Sequence, residues 1–355
     1  MILFRDLIDT DEFRKNAVAR MKTVDKKYNF PTKFPTLYRY RSFGGYVVDD
    51  VINQNITLSS IGNFNDVYDG VITSKYNERF IKKYIKNQLK GIKDREYRKA
   101  IEETERNYLM RQQRYNFDFI NSLGTYIGCF SEIDNSILMW AHYADMNKGL
   151  CIEYDFNKTT TFVKNLLLPI AYSKKPVYTD DLLDGKTKIN APVDVGVLCS
   201  LLNKSMDWKY EKEYRLLWVF NINPNGHPQY FPIRPNINPC SISFGFHFMK
   251  NFYYNQYKSL NNKGHIDKKC VESLKQNIED MFNLLEFMKK NGITAKIQTP
   301  SFSERQVKNV IVPVDDIMKF MRSHLGYDKE PKKMEYYNLA LYDLLDLLKQ
   351  KEGVK

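Results

Sequence analysis

The segment Leu37-Tyr38-Arg39-Tyr40-Arg41 alternates strictly along the chain, which predicts a half-buried strand. Further strands are predicted at Ile56 to Ser60, Tyr126 to Ser131, Leu150 to Phe156, Leu167 to Tyr172, Ile242 to Phe248 and Val307 to Val312. Lys209 to Phe220 gives the strongest strand pattern of all. Other stretches repeat at helical spacing. Phe13, Ala17 and Met21 mark a helix over Asp11 to Lys26, and Ile81, Ile85 and Leu89 a stripe within Glu78 to Arg114. Val271, Leu274, Ile278, Met281, Leu285 and Met288 line one face of Val271 to Lys290, with Gly292 as its cap. Shorter helices are predicted at Val47 to Asn53, Asn135 to Asp145, Val193 to Asp207 and Asp315 to Leu325, and a terminal one at Met334 to Lys351. Pro31 and Pro35 impose extended backbone, and Gly62 to Asp66 is a polar turn.

Strands and helices interleaved in this way predict an α+β fold with a mixed or antiparallel central sheet. The expected organisation is an N-terminal helical extension over 1–35, a main domain over 36–315 with a helical insertion at about 76–115, and C-terminal helices over 316–355. No internal repeat interrupts it.

Composition narrows the functional classes. With 43% hydrophobic and 14% aromatic residues, a disordered chain is excluded. No window approaches the roughly 18 apolar residues of a membrane span, and charges break the apolar run at the start, so neither a span nor a secretory signal is expected. The five cysteines are odd in number and form no CxxC. They read as reduced thiols of a cytoplasmic protein, with no classical zinc site.

The net charge is +12, which attracts polyanions. Lys, Asn, Ile and Tyr are abundant, so a solvated surface shaped by an AT-rich genome accounts for part of that excess. Its distribution is more informative. Tyr76 to Tyr115 holds 12 basic and 6 acidic residues, whereas Ile120 to Phe220 holds 11 and 12, with all three tryptophans. The pattern predicts a near-neutral core carrying the chemistry, beside a basic insertion able to meet nucleic acid or an acidic protein. The basic helix lacks the broad apolar face that membrane attachment needs.

Four constellations can carry chemistry. In Tyr210-Glu211-Lys212-Glu213-Tyr214-Arg215, strand parity places Glu211, Glu213 and Arg215 on one face. Two carboxylates roughly 7 Å apart repel, so the strand needs a cation or a ligand beside them. One can grip a ribose hydroxyl and stabilise a cationic sugar while the other deprotonates a nucleophile. A salt ladder with Arg215 satisfies them equally. Arg39 and Arg41 share a face suited to a diphosphate, or to pairing with those acids. Ser131 lies where a strand meets a helix, a place for a phosphate. Trp140 and Tyr143, at i and i+3, can stack on a base or pack in the core. Finally, Asn65 and Asp66 shape a turn or, with Glu153 and Asp155 on a shared strand face, hold Mg²⁺. P-loop, GxGxxG, GxSxG and HExxH motifs are absent.

Leu37-Tyr38-Arg39-Tyr40-Arg41, Phe64-Asn65-Asp66, Cys129-Phe130-Ser131, Met139-Trp140-Ala141-His142-Tyr143-Ala144 with Lys148-Gly149-Leu150, and Trp208 to Arg215 together resemble the bacterial domain of unknown function 2971 (DUF2971). The resemblance covers about residues 36–250. It implies no activity, although some members accompany phage-defence genes. More distantly, an early Arg, a Ser after a middle strand and a late Glu-x-Glu are similar to the pattern of ADP-ribosyltransferases, with Cys129-Phe130-Ser131 departing from the usual Ser-Thr-Ser. That likeness implies NAD as substrate: Arg39 or Arg41 on its phosphates or ribose, Ser131 supporting the cleft, Glu213 stabilising the oxocarbenium-like state and Glu211 orienting the acceptor. A toxin or defence effector is the resulting expectation. The alternatives are a metal-dependent nuclease using Asp66, Asp69, Glu153 or Asp155, and a non-catalytic nucleic-acid-binding or regulatory module. The last expects Glu211 and Glu213 to be fully paired with cations.

Overall fold

The computed structural model describes residues 11–22, 24–66, 69, 95–97, 99, 103, 125–174, 198–219, 230–248, 268–301 and 306–325. Nearly all of the basic 76–115 segment and the terminal helix at Met334 to Lys351 lie outside them. In chain order the elements are α1 (Asp11–Met21), β1 (Leu37–Arg41), α2 (Gly45–Ile52), β2 (Ile56–Ser60), β3 (Thr125–Ser131), α3 (Ile137–Tyr143), β4 (Leu150–Tyr154), α4 (Thr161–Leu166), β5 (Leu167–Pro169), β6 (Ala171–Ser173), β7 (Asn203–Ser205), β8 (Glu213–Val219), β9 (Tyr230–Ile233), β10 (Ser241–Phe244), α5 (Lys268–Asn291), β11 (Thr294–Ser301), β12 (Gln306–Val312) and α6 (Val314–Leu325). The class is α+β, with mostly antiparallel strand pairing.

Two compact units emerge, each drawn from three stretches of chain. The first takes Met1–Lys33, Thr57–Cys129 and Thr160–Pro232. Here β2 pairs antiparallel with β3, and β8 with β5, while β6 and β7 run parallel. The α1 stripe buries Ala17 and Met21. Arg14 donates to the Asn165 carbonyl at 3.0 Å and Tyr28 to that of Pro169 at 2.8 Å, tying the N-terminal segment to α4 and β5.

The second unit takes Phe34–Ile56, Phe130–Thr159 and Ile233–Lys355. Its strands run β12-β11-β10-β4-β1, antiparallel except for the parallel β10–β11 pair. A parallel neighbour demands a crossover, and α5 lies within that connection. Leu37, Ile152, Tyr154, Ile242, Phe244, Ala295 and Ile297 alternate onto one apolar sheet face. They build the core with Leu284, Leu285 and Met288 of α5 and Ile317 and Met321 of α6, all buried.

Several boundaries differ from those expected. Val193 to Asp207 is not one helix: helical residues 198–201 give way to β7 and then to a 3₁₀ turn at Met206–Glu211. The strand expected from Lys209 therefore begins only at Glu213, because Lys212 adopts a left-handed conformation (φ 42°) that breaks the extended run. Glu211 is consequently not on the strand with Glu213 and Arg215. Leu167 to Tyr172 splits at Ile170 into β5 and β6. Ile242 to Phe248 stops at Phe244, where Gly245 presses against backbone: a Cβ there would lie 2.2 Å from the Asn147 carbonyl oxygen. The strands β9 and β11 were not anticipated.

Candidate functional site

The side chains around β8 form a buried ionic cluster in the first unit. Glu213 and Arg215, two apart on the strand, do share a face, and Arg215 Nε donates to Glu213 Oε1 at 2.7 Å. The same guanidinium grips Asp69 through both terminal nitrogens, at 2.6 and 2.5 Å, and gives a further bond to the Leu201 carbonyl. The Phe64 ring lies 5.4 Å from its centre. From β7, Lys204 Nζ reaches Glu211 Oε2 at 2.6 Å and Glu213 Oε2 at 2.9 Å. The Trp208 ring lies 5.0 Å from that ammonium. Tyr172 Oη accepts the Glu213 backbone N–H at 2.8 Å. Both glutamates are 3% exposed and Arg215 is 0% exposed.

Low dielectric makes these contacts strong and would make any unpaired member costly. Burial opposes ionisation of Glu213, but Arg215 and Lys204 outweigh it and hold the pKa down at about 2. Burial likewise opposes the Lys204 charge, and Glu213 outweighs it, leaving the lysine more basic than usual. The neighbouring Cys129 thiol moves the other way: burial first and Glu213 second push its pKa up, so it stays protonated.

The remaining residues read for NAD all belong to the second unit. Along β1, Arg39 and Arg41 pair with Ile152 and Leu150, whereas Tyr38 lies opposite Ser131. Directly opposed residues point to the same side, so the arginines occupy one sheet face and Ser131 the other. Arg39 is buried with its guanidinium 5.6 Å from the Phe130 ring centre. Ser131 accepts the Ile133 N–H and caps no helix; the N-cap of α3 is Ser136, which accepts from Met139. Trp140 is 0% exposed, packs edge-on against Tyr40 at 5.4 Å and donates its indole N–H to the Asp134 carbonyl. Its ring is committed to the core. Tyr143, at the end of α3, is half-buried and makes an edge-to-face contact with His142 at 6.1 Å.

The carboxylates considered for Mg²⁺ have other partners. Asp69 holds Arg215 and Glu153 holds Lys296 at 2.6 Å, while Asp155 lies beyond β4 and caps the following turn by accepting from Asn157. Among the described residues no group of three or more His, Cys, Asp or Glu side chains could hold a metal ion. Lys204 is the member of the cluster that sequence reasoning missed. The only available hint was arithmetic: twin acids with a single nearby arginine leave a charge to be matched.

The Glu213 segment and α3 also fall within the stretch recognised by comparison. Residues 139–216 match the model of a family described as protein of unknown function (DUF2971). Nothing matches among the curated proteins or the solved structures. Among the described residues no helix is long and apolar enough to cross a membrane.

Proposed function

We propose that this chain is a non-catalytic nucleic-acid-binding module, in which Glu211 and Glu213 build the fold rather than perform chemistry. One observation carries the reading: Lys204 and Arg215 take up both carboxylates at 2.6–2.9 Å inside the protein. An acid that stabilises a developing sugar cation must offer its charge to the substrate, and a carboxylate already shared by two buried cations has little left to offer. The cluster contains three acids against two cations. The net +12 is therefore displayed by the rest of the chain, where it can neutralise phosphates.

The transferase reading makes a different demand, that Glu213 meet the ribose of NAD. Incubating the purified chain with NAD and measuring released nicotinamide separates the two. The module reading expects no release, together with salt-dependent binding of oligonucleotides. Nicotinamide release that disappears in a folded Glu213→Gln variant would instead establish the ADP-ribosyltransferase-like effector and overturn the module.

A further inference from the structure

The helices α5 and α6 of the second unit enclose a hollow of about 470 Å³, lined by Lys289, Asp315, Met318, Lys319 and Arg322. Asp315, Met318, Lys319 and Arg322 recur at i, i+3, i+4 and i+7, so they form one stripe of α6. That stripe is unusual for a surface helix because its cations lack carboxylate partners. Among the described residues neither Lys319 nor Arg322 makes an ion pair, and both are exposed. The acid in the hollow, Asp315, pairs with Lys289 at 2.6 Å, with the two side chains 66% and 58% exposed. A pair so exposed contributes about 0–1 kcal/mol and exchanges readily for a competing anion.

The hollow has more than charge. Met318 is buried beneath it, and the Arg322 guanidinium lies 5.7 Å from the Phe282 ring centre, on α5. An aromatic ring behind a guanidinium holds that flat cation in place, and a flat cation is a surface on which a base can stack. Carboxylates of an acidic peptide have no use for such a plane. The volume lies within the range of pockets that take nucleotide-sized ligands.

We propose that this hollow is a contact site for single-stranded nucleic acid, with Lys289 and Lys319 on backbone phosphates and Arg322 under a base. The inference rests on the nucleic-acid reading above and gives that reading a location among the described residues.

The test is fluorescence anisotropy of the full chain with a labelled oligothymidylate of roughly 20 nucleotides, between about 50 and 200 mM salt. Lys319→Glu with Arg322→Glu should weaken binding about tenfold or more at the lower salt. It should also flatten the log–log salt dependence by about 1.4, at about 0.7 per lost phosphate contact on a single strand. The milder pair Lys319→Gln with Arg322→Gln should produce a smaller change in the same direction. Wild-type affinity and slope in both double variants would overturn the hollow as the site while leaving the module reading intact. Absence of salt-dependent binding by the unaltered chain would overturn both. Displacement of the oligonucleotide by poly-glutamate at matched charge concentration would assign the hollow to an acidic protein and overturn the proposal.

Discussion

Arg215 holds Asp69 in a two-pronged ion pair with nitrogen–oxygen distances of 2.6 and 2.5 Å, joining positions 146 residues apart. Neither side chain meets solvent, at 0% and 1% exposure. Removing one partner from such a pair strands the other as a buried charge. Asp69→Asn and Arg215→Met should each cost about 3–5 kcal/mol, seen as a lower denaturation midpoint, whereas the double variant should cost less than the sum of the two. Strict additivity would show that the pair is not coupled.

Glu213 makes stability depend on acid. Its folded pKa of about 2 lies below the ordinary 4.5, so its contribution is complete above the ordinary value and is lost as pH falls from there toward 2. Glu213→Gln removes that dependence. Compared with the unaltered chain, its stability curve should be flatter by about 3 kcal/mol over that interval. Parallel curves from urea titrations at successive pH values would contradict the assignment.

Close backbone approach makes a third forecast. A Cβ at Gly149 would stand 2.2 Å from the Arg41 carbonyl oxygen, and one at Gly245 the same distance from that of Asn147, so the backbone must move. Gly149→Ala and Gly245→Ala should each lower stability by about 1–3 kcal/mol. Gly44 has nothing within 4 Å of the added carbon and an extended φ, so Gly44→Ala should leave the melting temperature close to unchanged. Equal shifts in all three variants would refute the steric account.

Much of the fold was legible where alternation is unbroken. The pattern of β1 fixed its bounds and correctly gave Arg39 and Arg41 a common face. β11 escaped notice because its inward positions include only Ala295 and Ile297 as apolar signals, while Lys296, Gln298 and Pro300 read as loop. The candidate site was legible in composition but not in geometry. Lys212 takes a left-handed conformation without being Gly or Asn, so nothing in its identity announced the break after Glu211. Lys204 meets the acids through strand placement, which residue spacing does not encode. Ser131 and Arg41 both lie near strand ends, yet their opposite faces follow from the β1–β3 pairing, a non-local fact.

The buried cluster also bears on the order in which the first unit assembles. Its charges come from β8, β7, the turn before β8 and the distant Asp69, and none of them gains anything by leaving water before the others arrive. Each must wait, hydrated, for long stretches of chain to close around it. Dehydration of this knot of charge is thus expected as a late, concerted act of folding, and the same concertedness would make its escape from the finished structure slow.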